Sequence, residues 1–204
     1  NLRPYGLNWI YSPSEVAHPL DDGTAVMFER SLQATADQMG VDRAGYLRMI
    51  GPHTRYGQSL VDQFLGPLRL PNQPLPYALF GLQALMPATV LARVFFKGWR
   101  ARAALAGMAA HAMLPLNYGG TGGFALMMGM LAHNSGYPMA EGGSQRIIDA
   151  LVAHLRSLGG EVVTGQWVQR MSDLPTHRRA LLDVTPNQLL RIAADELPES
   201  YRRR

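Results

Sequence analysis

The sequence of 204 residues contains no cysteine, which excludes disulfide bonds, thiolate nucleophiles and metal sites built on thiolates. It also lacks a His-Glu-x-x-His pattern, and its six histidines are widely separated, so no metal site is predicted. No secretory signal stands at the start, which favours a cytoplasmic location. Charged residues make up only 17% of the chain against 47% hydrophobic residues, a balance typical of a globular protein with a sizeable core.

The basic excess of the chain is scattered rather than clustered. The net charge is +4, but the one run of basic residues is 202–204 at the end of the chain. A terminal run of this kind is typical of a solvated helix end, so nucleic-acid binding is not predicted. The chain begins with Asn1 and ends inside a helical pattern that starts near Leu197, and we therefore expect a piece of a longer protein.

Two β-favouring runs precede the first helical pattern. They lie at residues 9–11 and 24–28, and the Asp-Asp-Gly sequence at 21–23 predicts a turn and therefore a hairpin. Beyond the hairpin, apolar residues recur at helical spacing. We expect Asp42 to cap the second helix of this region and Gly-Pro at 51–52 to interrupt it.

Three apolar helical stretches follow a proline-rich connection at residues 66–76. They are rich in Ala, Leu and Met and cover residues 77–95, 100–114 and 124–133. A membrane-spanning helix needs about 20 unbroken apolar residues, whereas Pro87, Pro115 and Arg93 break these runs. The sequence therefore predicts a buried helical layer, with contact at a membrane surface as the alternative.

The final third alternates helix and strand patterns. A helix is predicted over residues 144–158, and Pro186 opens another. Between them, strands are predicted at residues 161–163, 166–169 and 180–184. The order is typical of an α/β layer. The fold class is thus mixed, α+β and α/β: a mostly helical domain with a small β-sheet over residues 1–140, then part of an α/β domain over residues 141–204.

Two glycine-rich segments differ in context. Residues 119–123, Gly-Gly-Thr-Gly-Gly, follow no strand and precede no lysine, so a helix–helix turn is predicted rather than a phosphate-binding loop. Gly142 and Gly143 instead open a helical pattern, where unpaired N–H groups can meet a ligand. Ser144 is expected to cap this helix. Because Arg146 replaces the second glycine of a Gly-x-Ser-x-Gly elbow, a serine nucleophile is not predicted.

Several isolated side chains are weighed as site residues. His111 and His133 lie on apolar helical stretches, where hydrogen-bonded core histidines are the more common case. Asp183 stands at a predicted strand end, where it would cap a helix or line a crevice at the carboxyl end of the sheet. The methionines of the apolar helices suit a core, and equally a wide lipophilic pocket. They are Met108, Met113, Met127, Met128 and Met130.

One segment of the last third resembles the middle of a known flavoprotein family. It reads Gly-Gly-Ser-Gln at 142–145, a helix, Gly-Gly-Glu-Val-Val-Thr-Gly at 159–165, and then Val168. In this order it resembles FAD-dependent oxidoreductases of the phytoene desaturase and flavin-containing amine oxidase superfamily. Residues 17–23 and 113–116 are similar to its phytoene-dehydrogenase-like branch.

The resemblance implies an enzyme in which a substrate domain is inserted between segments of an FAD-binding Rossmann-type domain. It implies that Gly142, Gly143, Ser144 and Gln145 lie near the flavin ring and the substrate cavity. The strand at Val168 would contact the adenine end of FAD through its backbone. The Gly-x-Gly-x-x-Gly loop of the family is absent from the chain. We therefore do not expect this chain alone to hold FAD tightly or to turn over.

Two hypotheses follow. In the first, the chain is the central portion of an FAD-dependent oxidoreductase, a desaturase, dehydrogenase or amine-oxidase-like enzyme acting on a lipophilic small molecule. In the second, it is a non-enzymatic helical module that binds a lipid or a membrane surface. Neither the patterns nor the resemblance identifies a catalytic residue.

Overall fold

We analysed a computed structural model of the chain, which describes residues 1–67 and 70–203. These residues form two compact units, Asn1–Ala150 and Leu151–Arg204, which divide within a helix. The sequence placed the division before that helix, at residue 140. The mixed α+β class is confirmed, since the chain is mostly helical with two small antiparallel sheets.

The elements have the following bounds. The strands are β1 (Trp9–Ile10), β2 (Val16–Pro19), β3 (Ala25–Phe28) and β4 (Met139–Ala140). The helices of the first unit are α1 (Leu32–Asp37), α2 (Arg43–Thr54), α3 (Gly57–Phe64), α4 (Pro74–Ala84), α5 (Ala88–Phe95), α6 (Trp99–Ala109) and α7 (Thr121–Asn134). Helix α8 (Gln145–Ser157) contains the division, and α9 (Pro186–Ala193) and α10 (Glu199–Arg202) belong to the second unit.

The hairpin is present, with the predicted turn and a different first strand. Strand β2 pairs with β3 from Val16 opposite Phe28 to Pro19 opposite Ala25. The predicted strand at residues 9–11 instead forms β1, which pairs with β4 near the end of the unit. Proline argues against a strand because it lacks an N–H, but Pro19 lies at the strand end, where this loss is tolerated.

Helix α2 does not end at its proline, contrary to the prediction that residues 51–52 interrupt it. Pro52 lies inside the helix, which continues to Thr54. An interior proline costs about 3 kcal/mol because it removes one hydrogen bond and crowds the preceding turn. The last turn nevertheless carries His53, whose side chain is only 1% exposed and contacts the ring of Phe80 edge-on. Packing of that turn offsets the cost of the proline.

Asp42 binds the backbone before α6 and does not cap α2 as predicted. It stands just before α2 but makes no side-chain cap there. Its buried carboxylate instead accepts the N–H groups of Lys97, at 2.7 Å, and Gly98, at 2.6 Å, immediately before α6. A buried carboxylate is stable only with such partners. Asp42 therefore ties the turn before α2 to the start of α6.

Helix α7 lies at the centre of the first unit. It contacts all five helices from α2 to α6, and its residues Ala125, Leu126 and Met130 are buried in the main core. The predicted helical layer is present, but its first stretch, residues 77–95, divides into α4 and α5, and leucines of α4 are exposed. Within the described residues, no single helix has the length and hydropathy of a membrane span. Helices α4 and α5 reach them only as a pair, bent by 109°.

The second unit contains no strand within residues 151–203, where three were predicted. A strand needs a partner that accepts and donates ladder hydrogen bonds. The predicted segments have none among the described residues, and apolar side chains on them stay exposed, including Val163, Trp167 and Leu181. Helix α9 does begin at Pro186, as predicted, and Thr185 and Gln188 form a reciprocal capping box there.

The pH dependence of stability follows from three histidines in the first unit. Burial lowers the pKa of His18, His53 and His133 below the ordinary value of 6.5. The folded state therefore holds them neutral, while the unfolded chain takes up protons as the pH falls through 6.5. The free energy of unfolding should be highest above this pH and fall as the pH is lowered towards the folded-state pKa values.

Urea unfolding measured at several pH values from neutral to mildly acidic tests this expectation. The variant His53→Met should show a shallower decline, because it removes one of the three groups. Leu60→Val, at a buried apolar position, should lower stability equally at every pH. A decline that is equally steep in His53→Met and in the unchanged protein would contradict the assignment.

Candidate functional site

The glycine run at residues 119–123 is a packing device. The N–H of Gly120 donates to the Leu85 carbonyl, and the N–H of Gly122 donates to the Met86 carbonyl, both at 3.0 Å. A Cβ on Gly122 would lie only 2.7 Å from the Met86 oxygen. The start of α7 is thus pressed against the corner between α4 and α5. Because these N–H groups already donate to backbone carbonyls, they are not available to bind an anion. The predicted turn between helices is thus confirmed, and it packs closely against its neighbours.

Thr121 completes that corner from inside the run. Its hydroxyl accepts the N–H of Ala88, at 2.9 Å, and so caps the start of α5. The same hydroxyl lies 2.8 Å from the Tyr118 carbonyl, to which it donates. Thr121 is fully buried, and all the partners of its hydroxyl lie within the fold. It therefore has a structural role.

The glycine pair before α8 has the opposite environment. Residues 140–143 form a turn in which the N–H of Gly143 donates to the Ala140 carbonyl, at 3.0 Å. Gly142 has φ = +83° at the third position of this turn, as a type II turn requires, and Gly143 has φ = +97°. Other residues rarely adopt such values. The turn places both glycines at the start of a 13-residue helix.

The side chains around this turn leave its surface open. Gly142, Gly143, Ser144 and Gln145 are all exposed. A Cβ on Gly143 would meet nothing within 4 Å. Within the described residues, the Gln145 amide reaches only Asp149, one turn along α8, at 3.1 Å. The four predicted residues therefore share one accessible helix start, whose backbone can be approached closely.

Val168, the fifth predicted residue, lines a cleft within the second unit. The cleft has a volume of about 640 Å³. Its apolar wall includes Trp167 and Leu181, and Asp183 and Arg191 stand among the polar groups that line it. An apolar wall with a few polar groups suits a flat ring that carries polar substituents. Asp183 lines this cleft, but it does not lie at the carboxyl end of a sheet as predicted, because the described residues of the second unit form no strand.

The sequence did not indicate Trp167 or Arg191 as lining residues. Trp167 lies next to Val168 in a stretch without regular secondary structure, and its side chain is 82% exposed. Arg191 lies one helical turn beyond the capping box at the start of α9. The signal that would have pointed to Arg191 is helical spacing, because residues three apart, such as Gln188 and Arg191, share a helix face.

The two histidines predicted on apolar helices have different environments. His133 is bound on both ring nitrogens: Nδ1 donates to the Glu29 carbonyl at 2.9 Å, so Nε2 accepts the hydroxyl of Tyr46 at 2.7 Å. It is the hydrogen-bonded core histidine that the sequence predicted. His111 is instead exposed. Within residues 1–67 and 70–203, no three His, Asp or Glu side chains are placed to hold a metal ion.

The methionines that the sequence assigned to a core or a pocket differ in their burial. Met108 and Met130 are buried, whereas Met113 is 90% exposed. A cavity that Met108 lines together with Met39 and Met49 has a volume of about 10 Å³. That volume is enough for about one water molecule. It does not provide the wide lipophilic pocket that was the alternative expectation for these side chains.

Comparison with known proteins leaves the site to be judged on its own geometry. No family model, no curated protein and no solved structure matches the chain.

The packing role of Gly122 predicts the effect of adding a single methyl group. Alanine usually stabilises a helix interior by about 0.5–1 kcal/mol relative to glycine. At Gly122 the added Cβ meets the Met86 carbonyl, so Gly122→Ala should lower the free energy of unfolding by about 1–3 kcal/mol. Gly81, in α4, is the matched control, since a Cβ there meets nothing within 4 Å.

Chemical denaturation of the two variants provides the measurement. Gly81→Ala should be as stable as the unchanged protein or slightly more stable. If Gly122→Ala is also stabilised, the start of α7 does not pack as closely against α4 and α5 as described.

Proposed function

We propose that this chain is the central portion of an FAD-dependent oxidoreductase that acts on a lipophilic small molecule. The observation that carries the proposal is the accessible turn before α8. There the Gly-Gly-Ser-Gln sequence of the resemblance coincides with two positive φ values and an open helix start.

The turn fits a flat, polar cofactor by its backbone. Gly143 leaves open the space that a Cβ would fill. The N–H groups of Ser144 and Gln145 have no backbone partner among the described residues. Such N–H groups, at the positive end of a helix dipole, favour carbonyl oxygens and anionic groups of a ligand. Gly142, Gly143, Ser144 and Gln145 would thus contact the flavin through backbone donors.

The cleft in the second unit suits an adenine ring. The resemblance gives the backbone of Val168 that contact. Trp167, beside it, offers an exposed indole on which an adenine ring can stack, and Leu181 offers apolar surface. Arg191, without an ion pair in the described part of the chain, supplies a positive charge in the cleft. We also propose that residues 141–204 form part of a Rossmann-type domain in the longer protein.

The chain's own residues bind and orient, and the chemistry belongs to the cofactor. A bound flavin would accept a hydride equivalent from a C–H bond of the substrate. We assign no catalytic base, because His133 is occupied on both nitrogens and the core carboxylate of Asp42 is bound by backbone N–H groups. Residues of the helical layer would contribute apolar surface that excludes water from the substrate.

The flavin content of the protein expressed with its natural flanking sequence tests the proposal. The purified protein should show flavin absorption bands, and Gly143→Val should lose them, because its side chain fills the open space above the turn. Gly159→Val is the matched control. Gly159 has φ = +84°, lies just beyond the other end of α8, and has nothing within 4 Å of a Cβ.

Both substitutions impose similar backbone strain, so thermal unfolding should shift equally in the two variants. Flavin retained in Gly143→Val, or lost equally in both variants, would argue against a flavin contact at this turn. A colourless, folded protein with its flanking sequence would argue against the whole proposal.

A second candidate function, binding of a lipid or membrane surface, is favoured by one observation. Leu75, Leu82 and Leu85 follow one face of α4 and its C-terminal cap, and they are 80%, 70% and 75% exposed. Exposed leucines at helical spacing are suited to lying in a membrane interface.

Vesicle binding of a double variant examines this candidate. The double variant Leu75→Ser, Leu82→Ser should release the protein from phosphatidylcholine vesicles in a flotation experiment. The control Leu158→Ser removes a similarly exposed leucine of the second unit and should leave flotation unchanged. Absence of flotation by the unchanged protein would exclude this function.

A further inference from the structure

A cleft between α5 and α6 combines two arginines with a floor of small residues. It has a volume of about 230 Å³ and is lined by Ala88, Thr89, Ala92, Arg93, Arg102 and Ala106, together with Leu116. On α5, Ala92 follows Ala88 by one turn and Arg93 follows Thr89 by one turn, and on α6 Ala106 follows Arg102 by one turn. We call this feature the arginine cleft. It lies entirely within the first unit and is separate from the turn before α8.

The two guanidinium groups of the arginine cleft differ in how they are held. Arg102 donates from Nε and Nη2 to the Phe96 carbonyl, at 3.1 and 2.7 Å, which fixes its position while leaving further N–H donors. Arg93 makes no hydrogen bond or ion pair with any residue in the described part of the chain. One guanidinium is therefore positioned in advance, and the other is available to close on a ligand.

No carboxylate competes for these charges along the surrounding helices. The sequence from residue 63 to residue 140 contains no Asp or Glu, so α4, α5, α6 and α7 carry none. Arginine is usually paired with carboxylate or phosphate when it lines a cleft, because its fork of donors matches their oxygens. An anion that pairs with the arginines of the arginine cleft therefore has to come from outside these helices.

We propose that the arginine cleft binds a phosphate monoester group that carries a short apolar substituent. A phosphate monoester has a charge of about −1.5 to −2 at neutral pH, which two guanidinium groups balance. The alanine floor and Leu116 would contact the substituent. The volume of the cleft lies below the range of about 300–1,000 Å³ typical of pockets for whole drug-sized ligands. It therefore suits a head group rather than a complete cofactor. The proposal is independent of flavin binding.

Isothermal titration of the chain with monobutyl phosphate, inorganic phosphate and pentanoate tests the proposal. Monobutyl phosphate should bind saturably and more tightly than inorganic phosphate, because its alkyl chain contacts the alanine floor. Pentanoate should bind more weakly, because it carries a single charge. Equal heats from all three ligands, or no saturable binding of either phosphate, would overturn the proposal.

Three variants separate the cleft from general electrostatic attraction. Arg93→Gln should weaken monobutyl phosphate binding about tenfold or more, as expected for a lost charged hydrogen bond. Ala106→Leu keeps both charges but fills the cleft, and it should weaken binding by at least as much. Arg48→Gln removes an exposed arginine of α2 and should leave the affinity unchanged. Thermal unfolding of each variant confirms that it is folded.

Two results with these variants would contradict the site. One is an Arg48→Gln effect as large as that of Arg93→Gln, which would indicate non-specific attraction. The other is unchanged binding in Ala106→Leu, which would place the phosphate outside the cleft.

Vesicles distinguish the source of the phosphate group. Flotation with phosphatidylcholine vesicles that contain phosphatidic acid, lost in Arg93→Gln, would identify a lipid head group as the ligand. Saturable monobutyl phosphate binding without such flotation would identify a soluble phosphate ester. Both outcomes support the arginine cleft. Flotation that persists in Arg93→Gln, together with no monobutyl phosphate binding, would overturn it.

Discussion

The close approach of α7 to the corner between α4 and α5 is the contact on which the helical unit depends. It is possible because Gly122 has no side chain where the Met86 carbonyl reaches the helix, and because Thr121 caps α5 from the same turn. Further along α7, a Cβ on Gly129 would approach the side chain of Ile50 in α2 to 3.0 Å. Small residues thus let one uncharged helix contact all five of its neighbours. A larger residue at Gly122 would meet the backbone of Met86, whereas one at Gly129 would first displace the end of the Ile50 side chain.

Long-range polar bonds then fix the hairpin and the loops to this packed layer. His133 of α7 links Tyr46 to the backbone that follows β3. Asp42 joins the start of α6 to the turn before α2. The carboxylate of Glu15 accepts the N–H of Tyr137, which lies just before β4. Asp42 and the Glu15 side chain are buried and His133 is half-buried, so loss of a partner would destabilise the fold. The bonds thus also select one arrangement of the connecting segments.

Helical periodicity and turn residues made much of the fold predictable, and long-range pairing accounts for most of what was not. Pro87 and Pro186 marked real helix boundaries because their effect is local. Pro52 did not, because packing of His53 in a distant core outweighs the lost hydrogen bond. The partner of β1 lies about 130 residues away along the chain, beyond the reach of any local pattern. The segments of the second unit at residues 161–169 and 180–184 likewise have strand-like sequences, but strands form only when a partner completes the ladder.

The sequence predicted the candidate site whose backbone conformation requires glycine, but not the site that depends on the packing of two helices. Gly142 and Gly143 stood out because paired glycine before a helix implies unusual backbone angles, whereas the arginine cleft needs two helices to be placed together. The core itself leaves little room for a ligand, since the cavity at Met108 holds about one water molecule. Because the tight packing around α7 leaves no room for a ligand, we expect ligands to bind at the surface of the first unit. Backbone donors are exposed there before α8, and Arg93 exposes a guanidinium group that has no ion-pair partner within residues 1–67 and 70–203. A surface that presents such groups without internal partners binds polar ligands more favourably than the saturated core can, because their hydrogen bonds are not already satisfied within the fold.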